Sequence, residues 1–328
     1  MAKRAIPVVI DCDPGVDDAL ALALALVSPE LEVLAVTTVH GNVPGAWAFR
    51  NARRALAYFR SHSSAAKPLP PVHRGAASPL RGGRVDRSEA LAIHGADGLG
   101  ELFSGGRRPP RLGKAPHETA ERLIAALARR LGRDLTIVAL GPLTNLARAW
   151  RRDPDALAGV GRIVVMGGTA QMPGNVTAAA EFNLHCDPEA AAAVLRSGAP
   201  VTLVGLDVTR RALLPARALF GGGPFRRALR DLTRTYVAYA RRRRGEEGVT
   251  LHDPLALAAA IEPGLLRCER RPVAVECGEG PARGMTVVDL RPGASAGGRG
   301  GAEVALDVDE GRFLRFFLNR LRRYRGWS

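Results

Sequence analysis

The chain has 328 residues, of which 46% are hydrophobic and 24% are charged. That is enough apolar material for the core of one large α/β domain, and residues 1–328 show no internal repeat or boundary, so we expect a single domain. No apolar stretch reaches the roughly 18 residues free of charge that a membrane span needs. The N-terminus leads directly into the first apolar segment and the four cysteines lack disulfide spacing, so we expect a cytoplasmic protein with no membrane partner.

The formal net charge of +15 would suit an acidic partner such as nucleic acid. Against that interpretation, the arginines are spread along the whole chain instead of being gathered in one segment. The densest run, Arg241–Arg244, follows Tyr236 and Tyr239 on a predicted helix. We interpret this run as a solvated helix face in preference to a phosphate-binding patch, and nucleic acid remains a secondary alternative.

Strand-like and helix-like segments alternate along the chain, which predicts an α/β fold with a single open, mostly parallel, Rossmann-like sheet and helices on both faces. In chain order, strands are predicted at Val8–Ile10, Leu31–Thr38, Leu135–Leu140, Arg162–Met166 and Val201–Leu206, with extra late strands at Met285–Leu290 and Ala302–Val308. Helices are predicted at Ala19–Val27, Ala46–Phe59, Leu143–Trp150, Asp187–Arg196, Pro224–Arg244 and Asp253–Ile261. Residues 61–87, with one short strand near Val72, and residues 291–301 have the composition of loops.

Four carboxylates lie within eight residues, directly after the first apolar run: Asp11, Asp13, Asp17 and Asp18. They occupy the turn between a strand and a helix, which is where open α/β sheets bind ligands. Alternation along the strand points Asp11 and Asp13 the same way, and the helix dipole favours Asp17 and Asp18 at the first turn. Because four adjacent carboxylates repel one another, this cluster predicts a site for a hard divalent cation with oxygen ligands.

Three further polar groups fall at strand ends or helix starts. Thr37–Asn42 ends the second strand, Glu181–Asn183 follows a Gly-rich turn, and His252–Pro254 opens a late helix. The carboxyl ends of parallel strands share one edge of a sheet, so we expect these groups to meet at a single rim.

These motifs resemble those of the inosine-uridine-preferring nucleoside hydrolase family. The resemblance rests on residues 11–18 (DCDPGVDD), Gly41-Asn42, residues 141–145 (GPLTN), Gly174-Asn175, Glu181–Asn183 and His252–Pro254, in family order. It covers roughly residues 5–290, and the ordered set is far more specific than any single motif. It implies Ca²⁺-dependent hydrolysis of the N-glycosidic bond of a ribonucleoside, giving free base and ribose, by an enzyme that forms a homodimer or homotetramer.

The resemblance also implies a role for each matching residue. The Ca²⁺ ligands would be the carboxylates of Asp13, Asp18 and Asp253 and the backbone carbonyl of Leu140, with Asp11 supporting them from behind. Asp17 would accept a hydrogen bond from a ribose hydroxyl. The nucleophilic water and the sugar hydroxyls would be held by Asn42, Asn175, Glu181 and Asn183. Asp13 would take a proton from the water, and His252 would be a leaving-group acid.

Other interpretations compete with this one. Some phosphotransferases share an Asp-x-Asp start, but here Pro14-Gly15 follows the acids and the lysines are badly placed for that chemistry. A non-catalytic ribose- or nucleotide-binding protein is a further alternative. His94 lies in a segment that resembles a family segment near the substrate, and an ordinary loop histidine is an equal alternative. Tyr236 and Tyr239 are interpreted as core residues of an amphipathic helix in preference to lining a base pocket. The base preference is left open, because the base would contact loops and the Arg241–Arg244 segment.

Overall fold

The first strand sets the plan of the molecule, because its successive side chains enter two different cores. In the computed structural model, which describes residues 4–63, 68–83, 85–103, 113–294 and 301–328, β1 spans Ile6–Cys12. Val8 and Ile10 belong to one buried cluster and Val9 to the other. Side chains alternate across a strand, so a sheet whose strands are apolar at every position must be covered on both faces.

The remaining strands are β2 (Leu31–Thr38), β3 (Val72–Arg74), β4 (Thr136–Ala139), β5 (Arg162–Met166), β6 (Val201–Val204), β7 (Leu213–Pro215), β8 (Gly248–Thr250), β9 (Leu266–Val275), β10 (Thr286–Val288) and β11 (Gly301–Val308). The helices are α1 (Val16–Leu26), α2 (Gly45–His62), α3 (Ser88–His94), α4 (Ala120–Leu131), α5 (Thr144–Arg152), α6 (Pro154–Ala158), α7 (Phe182–Cys186), α8 (Pro188–Leu195), α9 (Leu206–Thr209), α10 (Pro224–Arg244), α11 (His252–Ile261) and α12 (Glu310–Leu321).

The main sheet has the strand order β10-β9-β11-β6-β5-β4-β1-β2-β3. Every pair from β11 to β3 is parallel, and β9 and β10 extend the sheet in antiparallel fashion. The chain starts in the middle, at β1, builds outward to β3 and then returns to β4 on the other side of β1. This is the doubly wound order of a Rossmann-like sheet, and its switch point lies between β1 and β4. The predicted fold class is therefore confirmed.

The helices cover both faces, as predicted. One cluster packs α1, α2, α10, α11 and α12 against the sheet, and the other packs α4, α5, α6 and α8. Helix α1 is buried along its whole length, since neighbouring helices cover the face that turns away from the sheet. An α-helix that is apolar on every side is expected only in such an enclosed position. No helix of the described residues is long and apolar enough to cross a membrane.

The structure contains, within the described residues, nine strands and α-helices that the sequence pattern did not predict: β7, β8, β9, α3, α4, α6, α7, α9 and α12. Helix α3 follows directly on the segment predicted as a loop, and α4 precedes β4. Strand β9 carries charged residues over Arg267–Arg271, so its alternation is obscured, yet it pairs with both β10 and β11. Of the predicted loop 291–301, residues 295–300 lie outside the described residues, as do 64–67 and 84 of the loop 61–87.

Candidate active site

The carboxylate cluster lies at the switch point of the sheet. Asp11 is in β1, opposite Thr37 of β2 and Ala139 of β4, and Asp13 follows one residue after the strand. A cavity of about 360 Å³ opens at this edge. It is lined by residues of every group that we expected at one rim, including Asp17, Asn42, Leu140, Asn175, Glu181, Asn183, His252 and Asp253. A cavity of this size is suited to a small-molecule ligand.

Three carboxylates meet at the bottom of the cavity. Oxygen atoms of Asp17, Asp18 and Asp253 all lie within 4.8 Å of one another. Asp18 is fixed by the amide of Asp13 at 3.2 Å and by the amide of Gly15 at 2.8 Å. Asp17, predicted as a ribose ligand, thus lies with two of the predicted metal ligands. We call Asp11, Asp13 and this trio the acid floor; its members are between 0% and 7% exposed.

Asp13 lies beside the trio, in a space that two glycines leave open. Its Oδ2 atom accepts a hydrogen bond of 2.6 Å from the backbone amide of Asn42. A Cβ atom at Gly41 would lie 1.9 Å from Asp13 Oδ2, and one at Gly141 would lie 2.6 Å from Asp13 Oδ1. Such distances are far below van der Waals contact, so both positions require glycine for Asp13 to stay where it is. This explains the glycines of the Gly41-Asn42 and Gly141-Pro142 motifs.

The electrostatics of the acid floor call for a positive charge. Oδ1 of Asp13, Oδ1 of Asp17 and Oδ2 of Asp11 are buried without a hydrogen-bond partner among the described residues. Burial and the neighbouring Asp18 raise the pKa of Asp17 to about 8, and burial followed by repulsion from Asp17 raises the pKa of Asp253 well above its usual range. Buried, unpartnered carboxylate oxygens are costly unless they bind a cation or a proton. The donor set therefore fits a hard divalent cation, and Ca²⁺ accepts about six to eight such oxygens.

A second layer of hydrogen bonds holds Asp11 beneath the trio. Its Oδ1 atom accepts from the Thr37 hydroxyl at 2.5 Å and from the Asn145 side-chain amide at 2.8 Å. Asn145 also accepts from the amide of Ala76 at 2.8 Å, which ties a distant loop to the same point. Burial still raises the pKa of Asp11 to about 6. Asp11 and Asp13 both lie outside the trio and outside the cavity lining, and the supporting role of Asp11 stays a prediction.

Polar side chains on the opposite wall are held by the backbone. Glu181 caps α7 and accepts from the amides of Gly168, Asn183 and Leu184, although burial outweighs these bonds and raises its pKa to about 7. Asn183 donates to the carbonyl of Leu140 at 2.7 Å. This carbonyl oxygen has a second lone pair, so the bond does not prevent it from also binding a cation.

Two histidines line the cavity: His94 is buried and His252 is partly exposed. His252 lies at the start of α11, with Nδ1 at 2.8 Å from the Thr209 hydroxyl, and burial and nearby arginines lower its pKa to about 3. His94 accepts a hydrogen bond from the amide of Val16 at Nδ1, and burial lowers its pKa to about 3 as well. The sequence left two interpretations of His94 open, and the structure places this residue in the cavity lining, as the resemblance of residues 93–100 to a family segment near the substrate would suggest.

The mouth of the cavity contains residues that the sequence did not assign to a site. Tyr236, Tyr239 and Arg243 of α10 line it, and their spacing of three and four residues places them on one helix face. The hydroxyl of Tyr239 donates to Glu89 of α3. Arg244 and Arg210 also line the cavity, so the Arg241–Arg244 run is only partly a solvated face. We call Arg210, Arg243 and Arg244 the arginine rim.

Comparison with known proteins places this architecture in one family. The family model described as inosine-uridine preferring nucleoside hydrolase matches residues 8–315. The chain is 40% identical to a pyrimidine-specific ribonucleoside hydrolase, RihA, of Klebsiella pneumoniae, over 98% of this chain and 99% of the relative. It is 38% identical to the RihA of Salmonella agona, with the same two coverages. The solved structure of a purine-preferring ribonucleoside hydrolase from Gardnerella vaginalis superimposes with a TM-score of 0.84 at 34% identity, covering 96% of this chain and 98% of the other.

The chain belongs to the inosine-uridine preferring nucleoside hydrolase family. The predicted resemblance is confirmed, and so is the prediction of an N-glycosyl hydrolase. The relatives differ in the base they are named for, pyrimidine in the two RihA proteins and purine in the Gardnerella protein. Family membership therefore does not determine the base preference of this chain.

Proposed function

We propose that the protein is a Ca²⁺-dependent hydrolase that cleaves ribonucleosides to free base and ribose. The observation that supports this most directly is the trio of buried carboxylates at the switch point, together with the buried oxygens of Asp11, Asp13 and Asp17 that have no hydrogen-bond partner among the described residues. Ca²⁺, when bound there, would hold two vicinal hydroxyls and a water molecule and would lower the pKa of that water. Asp13, Asp18, Asp253 and the Leu140 carbonyl remain the proposed ligands, and the position of Asp17 within the trio adds a further candidate.

The residues of this chain supply the rest of the chemistry. Asp13, oriented by the Asn42 amide, accepts the proton of the attacking water. Asn175, Glu181 and Asn183 hold the sugar hydroxyls, and Asp17 accepts from the 2′-hydroxyl side of the ribose. Loss of the base leaves positive charge on the ribose ring, and the carboxylates around the sugar stabilise that charge.

His252 is the proposed leaving-group residue. With its pKa near 3, its ring is neutral at pH 7 before substrate binds. If Nδ1 accepts from the Thr209 hydroxyl, the ring proton is on Nε2, where it donates to the departing base. A hydrogen bond from Nε2 would stabilise the negative charge that develops on the base as the N-glycosidic bond breaks.

The test is release of reducing sugar from uridine, cytidine, inosine, adenosine and guanosine, with and without a chelator. We expect ribose release from at least one substrate, its loss with EGTA and its recovery on adding Ca²⁺. 2′-Deoxyuridine should react about 100-fold more slowly than uridine, because the hydroxyl that orients the sugar is missing. Equal turnover of the two would contradict the proposed sugar site. Absence of release from the whole panel by folded, Ca²⁺-loaded protein would contradict the function.

On the family resemblance we also propose a homodimer or homotetramer in the cytoplasm. Light scattering coupled to gel filtration measures the mass directly, and a monomeric mass near 34.8 kDa would contradict the assembly. The pyrimidine ribonucleosides are the first substrates to test, because the two curated relatives above are named for them.

A further inference from the structure

The arginine rim places three cations at the mouth of a cavity whose floor is acidic. Arg210 follows α9, and Arg243 and Arg244 end α10, where the helix dipole also favours positive charge. The side chain of Arg244 is 36% exposed, whereas the acid floor is almost completely buried. The cavity therefore has a negative inner end and a positive outer end.

Few carboxylates balance the rim. Arg244 forms an ion pair with Glu246 at 2.8 Å. Arg210 donates to the carbonyl of Gly174 at 2.9 Å, and neither it nor Arg243 has an ion pair within 4 Å among the residues that the structure describes. The one carboxylate lining this end, Glu89, accepts a hydrogen bond from Tyr239.

Other arginines of the chain differ in how far carboxylates neutralise them. Arg211 contacts both Asp307 and Glu310, and Arg283 contacts Glu189 through two hydrogen bonds. The chain has 47 basic and 32 acidic residues, so arginines without a carboxylate partner are expected elsewhere as well. The arginine rim differs from those because its side chains line the cavity, where a ligand can reach them.

The rim lies near the end of the substrate that leaves. Arg210, Arg243 and Arg244 line the same cavity as His252. In the function proposed above, the acid floor holds the ribose and His252 faces the base. An anionic group that contacts the arginine rim would therefore be a substituent of the base.

Resting on that proposed function, we propose that the arginine rim selects ribonucleosides whose base carries a carboxylate. The guanidinium group is charged at all physiological pH values, and its planar fork matches a carboxylate with two parallel hydrogen bonds. A neutral base offers only carbonyl and ring-nitrogen acceptors, which leave the positive charge of the rim unbalanced. The bond cleaved and the attacking water are the same as for an unmodified ribonucleoside.

The test compares kcat/KM for uridine, 5-carboxyuridine, orotidine (the 6-carboxylate) and uridine 5′-monophosphate at low ionic strength. We expect at least one of the two base carboxylates to exceed uridine by about tenfold or more, the usual size of a charge-assisted contact. Arg210→Gln and Arg244→Gln should each reduce that ratio toward one. Arg242→Gln, an exposed arginine of the same turn that does not line the cavity, is the matched control and should keep the ratio.

Every other outcome contradicts either the role of the arginine rim or the proposed hydrolase function. Hydrolysis of uridine with no preference for either base carboxylate overturns the role of the rim and leaves the hydrolase intact. A preference for the 5′-monophosphate alone places the anion on the sugar and also overturns it. No release from any of the four compounds or from the unmodified panel overturns the hydrolase, and the rim proposal with it. Circular dichroism of each variant separates loss of folding from loss of contact.

Discussion

The floor and the mouth of the cavity are built in different ways. The acid floor is attached to strand ends and to the first turns of α1 and α11, two helices packed against each other in the core. The mouth is formed by the ends of α3 and α10 and by Arg210; its tyrosines are buried, whereas Arg243 and Arg244 are exposed. A position set by the core is repeated wherever the fold recurs, whereas a helix end can change residues without disturbing the core.

The two regions would contact different parts of the substrate. The floor contains the groups that any ribonucleoside requires, since every such substrate presents the same sugar. The mouth contains the groups that meet the variable part of the substrate. The relatives agree in the reaction and differ in the named base, as a fixed floor and a variable mouth would predict.

The largest effect should come from removing a carboxylate of the floor. Asp253→Ala and Asp13→Ala should each lower kcat/KM by about a thousandfold, because the charge developing on the sugar loses a fixed partner. Calorimetric titration should show weaker Ca²⁺ binding in the same variants. The matched control is Asp134→Ala, a surface aspartate whose only described ion pair is a distant one with Arg4. A near-normal rate in either floor variant would contradict the assignment.

A smaller but still large effect should follow from adding one methyl group beside Asp13. Gly141→Ala places a Cβ atom 2.6 Å from Asp13 Oδ1, so the carboxylate must move. A displacement of about 1 Å at a reacting group costs on the order of 100-fold in rate, and we expect that loss in kcat/KM. Gly264→Ala is the control, because its nearest neighbour is the Arg312 side chain at 3.8 Å. Unchanged kinetics in Gly141→Ala would show that Asp13 need not occupy this position.

The sequence predicted that the carboxylates of residues 11–18 lie together, and it did not predict which distant residues form the mouth. Asp11 ends the first strand, Asp13 follows that strand and Asp17 and Asp18 begin the next helix, so a single strand-to-helix turn places them together. His94 lines the same cavity although it lies 78 residues after Val16 in the chain. Its ring accepts a hydrogen bond from the Val16 amide. Only the packing of α10 against α3 brings Tyr239 to Glu89. Local patterns do not contain contacts of this kind, and for the same reason a charged strand such as β9 escaped prediction.

The smallest expected effect concerns the stability of the metal-free protein and its dependence on pH. The pKa values of Asp11, Glu181 and Asp17 are raised to about 6, 7 and 8, mainly by burial, whereas the exposed carboxylates of the unfolded chain titrate near 4. Burial acts in the opposite sense on His40, His94 and His252, whose pKa values are lowered to about 4, 3 and 3, whereas histidines of the unfolded chain titrate near 6.5. Above about pH 7 these histidines are neutral in both states, and the folded, metal-free protein binds more protons than the unfolded chain. Its free energy of unfolding therefore falls as the pH rises from about 7 to about 8.

Calorimetry in EGTA should accordingly show a Tm at pH 8 that is lower than the Tm at pH 7 by about 2 °C or more. Ca²⁺ should oppose this trend, because it competes with protons for the same oxygens and stabilises more at pH 8 than at pH 7. Asp17→Asn, which carries no charge at any pH, should flatten the metal-free curve, and Asp134→Asn should leave it unchanged. A metal-free Tm that rises over this interval would mean that the floor carboxylates are stabilised as anions by the protein itself, and the argument for a cation at the floor would lose its electrostatic basis.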